Sequence, residues 1–267
     1  IPDNTAAVVI AGPQVQVLPG EVKRLQAYIK GGGNLLWLAD PGVLHGLGPL
    51  AKQLGVTFLP GTVVDTTAQL MGISDPSIAV VTRYGDSPVT RDFNLVTVFP
   101  QARALREKPG KGWHSSVLLQ TSAGSWAETG KLQGTVAFDQ GSDIKGPLTI
   151  GVALSRRHGG PGADAAAQQA GQGRAGAGDG QRVVVIGNGD FLANSYLGNG
   201  GNLALGMNII NWLTSEDVFI NIPPKAAPDT HLTLTQDQAS VLGFVFLILM
   251  PGLMIGGGGW IWWRRRR

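Results

Sequence analysis

The C-terminal stretch leaves this chain the fewest choices. From Gln238 to Trp263 no residue is charged, and Val241 to Trp263 is almost wholly apolar or glycine. As a helix, rising about 1.5 Å per residue, the run is long enough to cross a hydrocarbon layer of about 30 Å. It closes on Trp260, Ile261, Trp262 and Trp263, then on Arg264, Arg265, Arg266 and Arg267. Tryptophan favours the headgroup level, and arginine clusters stay on the cytoplasmic side. A buried core helix is the competing reading, but it would need a polar face that this run lacks. The pattern predicts a transmembrane helix over 239–263 with a cytoplasmic tail over 264–267. Pro251, Gly252 and the cluster Gly256 to Gly259 predict a weakened or kinked helix that packs against neighbouring helices.

The same arginines account for the charge. Lys and Arg number 21 against 18 Asp and Glu, and without the four terminal arginines the balance is 17 against 18. The basic excess is therefore a topology signal, and no basic patch is interleaved with aromatics, so no nucleic-acid partner is expected. There is no cysteine, which removes disulfides, thiolate metal sites and a cysteine nucleophile. His45, His114, His158 and His231 are scattered, with no second ligand at helical spacing, so neither a metal nor a cofactor is expected.

Ahead of the anchor, residues 1–222 read as one α/β domain. Ala7 to Ala11 is a continuous apolar run, the pattern of a strand covered on both faces. From Gly20 the spacing turns helical, with Val22, Leu25 and Ile29 on one face, Glu21 in the first turn, Lys30 in the last and Gly31 as a left-handed stop. Asn34 to Ala39 is a second buried strand, so strand, helix and strand form a right-handed βαβ unit and imply a parallel sheet. A weaker helix is predicted over Val43–Leu54. A β-rich middle follows, with strands expected at 56–59, 62–64, 78–82, 95–99, 116–120, 135–138 and 148–154. Residues 156–182, dominated by Gly, Ala and Gln, read as a disordered loop. Val183 to Ile186 is another buried strand. Asn202 is expected to cap a helix whose inner face carries Leu203, Met207, Ile210 and Leu213. Val218 to Ile222 is a last strand, and prolines stiffen a stalk over 223–238.

Nucleotide and hydrolase motifs are missing. There is no G-x-x-x-x-G-K-[ST] loop and no G-x-S-x-G elbow, and the glycines at 187 and 189 lack the third position of a dinucleotide fingerprint. Asp40 and Asp190 each fall just past a buried strand, where open α/β sheets place ligands. A polar pocket of Asp40, Asn188, Asp190 and Asn194 is thus one expectation. The other is that the carboxylates only cap turns.

The segment IPDNTAAVVIAGPQVQVLPGEVKRLQAYIKGGGNLLWLADPG resembles the GldG family, auxiliary components of ABC transporters associated with gliding motility and with uncharacterised transport systems. The likeness continues through YGDSPVTRDF, FPQARAL, LLQTSAGSWAE, KGPLTIGVAL, RVVVIGNGDFLAN and GNLALGMNIINWL, and through the anchor with its basic end. The resemblance implies a periplasmic domain with a flavodoxin-like or class I glutamine-amidotransferase-like sheet, tied to the bacterial inner membrane. It implies a further N-terminal half with its own membrane helix, and two partners: a permease and a separate ATPase. It supplies no catalytic residues. The leading expectation is a non-enzymatic accessory subunit of an ABC-type export or motility system. The alternatives are an anchored envelope hydrolase using Asp40 and Asp190 as acid and base, and a purely structural scaffold.

Overall fold

The two most apolar runs become adjacent central strands, buried on both sides because each face of the sheet has its own cover. A computed structural model describes residues 1, 2, 4–132, 136–157, 180–215, 240 and 243–266. The chain divides into two compact units, Ile1–Pro224 and Lys225–Arg267.

In the first unit β1 (Val8–Ala11), α1 (Pro19–Lys30) and β2 (Leu35–Leu38) form the expected βαβ unit, with Val8 opposite Leu35 in parallel register. At the start of α1 the Glu21 carboxylate accepts the Leu18 N–H at 3.0 Å. At its end the Ile29 carbonyl, which accepts the Gly32 N–H at 3.2 Å, also accepts from Arg156 Nη2 at 2.8 Å and Gln181 Nε2 at 2.9 Å. The left-handed turn falls on Gly32 (φ 97°) instead of Gly31. There follow α2 (Gly48–Leu54), β3 (Val56–Phe58), β4 (Thr62–Asp65), α3 (Thr66–Leu70), β5 (Ile78–Val81), β6 (Arg83–Tyr84), β7 (Thr97–Pro100), β8 (Leu105–Glu107), β9 (His114–Gln120), β10 (Ser125–Glu128) and β11 (Ile144–Lys145). The unit ends its described part with β12 (Thr149–Arg157), β13 (Gly180–Ile186) and α4 (Asn202–Leu213).

Among the described residues the main sheet has six strands in the order β1-β2-β13-β12-β9-β6. Only β1, β2 and β13 run parallel; β12, β9 and β6 join antiparallel, so the sheet is mixed and not the parallel one expected. Alternate residues of β2 feed opposite cores. Leu35 and Trp37 pack with Val22, Ile29, Leu50 and Leu54 of α1 and α2. Leu36 and Leu38 pack with Phe99, Phe191, Leu205 and Ile209 on the side of α4. Two-sided burial is what turns an alternating strand into a continuous apolar one.

Several sequence expectations change. Among the described residues β1 lies at the edge of the sheet and is not covered on both faces: Val9 is 52 % exposed. The helix expected from Val43 begins only at Gly48, because His45 (φ 46°) and Gly46 (φ 87°) take left-handed backbone. Val136 to Phe138 form no strand; Asp139 instead closes a turn through the Gly141 N–H (2.9 Å), and Phe138 packs edge-on against Trp126. Arg156, Arg157 and Gly180 to Arg182 belong to paired strands, not to the loop, whose remainder lies outside the described residues. The expected strand at 218–222, the stalk at 223–238 and Val241 also lie outside them.

The largest change concerns α4. Asn202 does not cap it. Its carboxamide is fully buried, accepting the Val98 N–H at 2.9 Å and donating to the carbonyls of Val98, Phe191 and Tyr196. The buried face is Leu205, Ile209, Trp212 and Leu213, while Leu203, Met207 and Ile210 are 41, 48 and 37 % exposed.

In the second unit, residues Val245–Arg265 form one helix of 21 residues, with none of its described residues buried, that is long and apolar enough to cross a membrane. The expected disturbance at Pro251 is a wide turn over Val245–Leu249, with the Met250 N–H bonded to the Val245 carbonyl. Proline lacks an N–H and its ring collides with the carbonyl four residues back, and a π-type turn just before it relieves both. α5 (Met250–Arg265) then carries Pro251, Trp260, Trp262, Trp263, Arg264 and Arg265, and the Arg266 guanidinium lies 4.1 Å from the centre of the Trp262 ring.

These assignments predict a reversed ranking along α4 in urea unfolding of the solubilised chain. Leu205→Ala should cost about 2–5 kcal/mol and Met207→Ala under about 1 kcal/mol. Equal losses would contradict the observed face. Asn202→Ala, which takes away the partner of the Val98 N–H and one donor each from the Val98, Phe191 and Tyr196 carbonyls, should cost about 2–4 kcal/mol, well above the value for loss of a cap alone.

Candidate functional site

The parallel strands β1, β2 and β13 all end at the same edge, and their exits form a crevice. Gly12 follows β1 and donates to the Leu38 carbonyl at 3.0 Å; Ala39 follows β2 and donates to Ile186 at 2.8 Å. Asp40 comes next, and its Oδ1 accepts the Gly189 N–H beyond β13 at 2.8 Å. A side chain at position 12 would collide with the Asp40 carboxylate, its Cβ falling 2.4 Å from Oδ2, so glycine is required there. Gly187 is equally constrained, since a Cβ would lie 1.8 Å from the Arg103 carbonyl oxygen. Asp40 thus ties three strand ends together instead of capping its own turn.

A cavity of about 290 Å³ opens at this junction. Its polar lining includes Gln14, Asp40, His45, Gln101, Asn188 and Asp190, with Pro13, Trp37 and Leu44 among the apolar walls. Of the four residues expected from sequence, three come together. Asn194 does not: it is exposed on the turns after β13 and does not line the cavity. Asn188 is buried and serves the backbone, with Oδ1 accepting the Phe191 N–H at 2.9 Å and Nδ2 donating to the Pro100 carbonyl.

Asp190 is the unengaged group. It opens a short 3₁₀ turn (Asp190–Leu192), and its carboxylate makes no hydrogen bond among the described residues. Partial burial, and then the negative charge of Asp40, push its pKa above the ordinary carboxylate value. The nearest buried cation is Arg103, whose Nε donates to the Leu59 carbonyl at 3.0 Å and whose Nη1 reaches the Asp40 carbonyl at 3.4 Å. Its guanidinium lies 5.1 Å from the centre of the Phe58 ring, and it engages backbone oxygens instead of the two carboxylates.

Three lining residues went unread in the sequence. Gln14 lies just past β1, so the strand-end rule that picked Asp40 and Asp190 would also have found it. His45 was weighed only as a metal ligand, and among the described residues no cluster suits a metal. Gln101 follows β7, which pairs antiparallel with β5 across the intervening β6, a non-local pairing with no sequence signal. His45 and Gln101 (φ 46° and 50°) both hold left-handed backbone, at a cost of about 1–2 kcal/mol each for a residue with a Cβ. The surrounding fold fixes both, through the Val17 N–H to His45 carbonyl bond and the Gln101 N–H to Ser77 carbonyl bond, at 2.9 and 2.8 Å.

Comparison with known proteins agrees with this architecture. Among solved structures, the N-terminal domain of mmIFT52 superposes with a TM-score of 0.50 at 16 % identity, covering 84 % of this chain and 78 % of that one. That likeness is one of fold alone. No curated protein matches the chain in sequence. The family model described as "ABC-type uncharacterized transport system", an auxiliary family, matches residues 1–221. The chain therefore belongs to the auxiliary family of ABC-type uncharacterized transport systems.

Proposed function

We propose that the protein is a non-enzymatic accessory subunit of an ABC-type export or gliding-motility-like system. In this reading the α/β domain stands in the periplasm, the apolar helix anchors it in the bacterial inner membrane, and the arginine tail lies in the cytoplasm. Its partners are a permease and a separate ATPase. The family match over residues 1–221 carries the reading. The lack of a phosphate-binding loop fits a subunit that leaves nucleotide hydrolysis to another chain. The arginines after Trp263 favour the stated orientation. The three parallel strands with their crossover helix support a flavodoxin-like or amidotransferase-like core, extended by antiparallel strands. The crevice, through Asp40, Asn188 and Asp190, serves as its recognition site. A purely structural scaffold is less well supported, because Gln14, Asp40, Gln101, Asn188 and Asp190 line the crevice beside its apolar walls. The raised pKa of Asp190 beside Asp40 is the one observation favouring the hydrolase alternative.

Two measurements test this. Tagged full-length chain, gently solubilised from its own host, should bring down a permease and an ATPase in fixed ratio; recovery of neither would remove the transport assignment. The natural absence of cysteine gives a clean background for topology. Lys111→Cys should react with a membrane-impermeant maleimide in cells with a permeabilised outer membrane. Arg267→Cys should react only after the inner membrane is broken, and the opposite pattern would invert the orientation.

A further inference from the structure

The crevice has a feature that a small-molecule pocket would not need. Val43 lines its mouth and is 73 % exposed, and Val15, beside the lining residue Gln14, is 75 % exposed. Single exposed valines are ordinary, but these two sit on the loops that leave β1 and β2, beside the cavity. Pro13 and Pro41 stiffen those loops, so the rim is held in place before anything binds. Asp40 and Asp190 line the same cavity, and the N–H of Gly189, the residue before Asp190, bonds to Asp40 Oδ1 at 2.8 Å. The only other titratable side chain in the lining is His45, and Arg103 is spent on backbone oxygens.

Two like charges held at one crevice are relieved by a cation that reaches both. A guanidinium does this best, because its planar fork offers five donors in fixed directions. The carboxamide oxygens of Gln14 and Gln101 add neutral acceptors around it. A cavity of about 290 Å³ takes one long side chain, near the lower limit for small-molecule sites. A free cation of that size would leave Val15 and Val43 in water, whereas a polypeptide carrying the cation would cover them. We propose that the crevice is a docking socket for an arginine flanked by apolar residues, presented on a loop of a partner protein. From the accessory-subunit reading this takes only that the domain has a protein partner.

The test uses the full chain in nanodiscs and a fluorescent peptide, Ser-Val-Arg-Val-Ser, followed by anisotropy. The peptide should bind saturably, and the same peptide with citrulline for arginine should bind about tenfold more weakly or worse. Asp190→Asn should weaken binding about tenfold without lowering the thermal midpoint, and should raise it slightly at neutral pH, since that carboxylate makes no hydrogen bond among the described residues and its charge is disfavoured by burial and by Asp40. Asp40→Asn, whose carboxamide oxygen still accepts the Gly189 N–H, is the second charge variant and should act in the same direction. Val43→Ser should cost about fivefold. Equal binding of the citrulline peptide, indifference to both aspartate variants, or no binding up to about 1 mM, weaker than typical specific sites, would overturn the proposal. So would competition by methylguanidinium at concentrations comparable to the peptide, which would make the site one for small cations. Peptide binding without a co-purifying permease would leave the socket standing and remove the transport reading; the reverse result would do the opposite.

Discussion

The hydrogen bond between the Asp40 carboxylate and the Gly189 N–H, at 2.8 Å, is the contact on which the crevice at the strand ends depends. Asp40 follows β2, the strand between β1 and β13, so one side chain can touch the exits of both neighbours. The contact requires a glycine at position 12, where any Cβ would displace the carboxylate. It also fixes the turn that carries Asp190, and Asn188 locks that turn from beneath through the Phe191 N–H and the Pro100 carbonyl. The result is a rigid crevice with one carboxylate committed to structure and a second left toward solvent. Rigidity of this kind suits recognition, because little conformational entropy remains to be lost on binding.

How much of this was legible depended on whether a signal was local. The βαβ unit was clear because NLLWLA and the α1 pattern are unambiguous over their own lengths. The direction of the remaining strands was not, since parallel or antiparallel pairing depends on partners far away in sequence; β12 and β9 look no different from parallel strands when read alone. The inner face of α4 was misjudged for a similar reason. Leu203, Met207 and Ile210 keep helical spacing, and so do Leu205, Ile209 and Trp212 on the opposite side. A helix apolar all round gives no preference between its faces, and only its seat on the sheet decides. β1 shows the converse: its composition suits a strand covered on both faces, yet among the described residues Val9 lies half exposed.

The site was readable in the same partial way. The rule that ligands gather at the carboxyl ends of strands identified Asp40 and Asp190, and the backbone turn explains Asn188. Asn194 failed because the chain has already turned away into solvent by that point. Gln101 and His45 enter through left-handed residues on loops whose course only tertiary packing sets. Family membership comes from the match over residues 1–221, since neither the fold nor the apolar helix names an activity alone.

The account turns on two carboxylates sharing one crevice, with Asp190 unsatisfied and pressed by Asp40. A carbon-13 titration of the aspartate carboxyls, in the wild-type chain and in Asp40→Asn, measures this directly. Asp190 should titrate above the ordinary value of 3.8, and Asp40→Asn should bring it part of the way back, leaving the share that burial contributes. An Asp190 that titrates at or below its ordinary value, or that does not respond to Asp40→Asn, would contradict it.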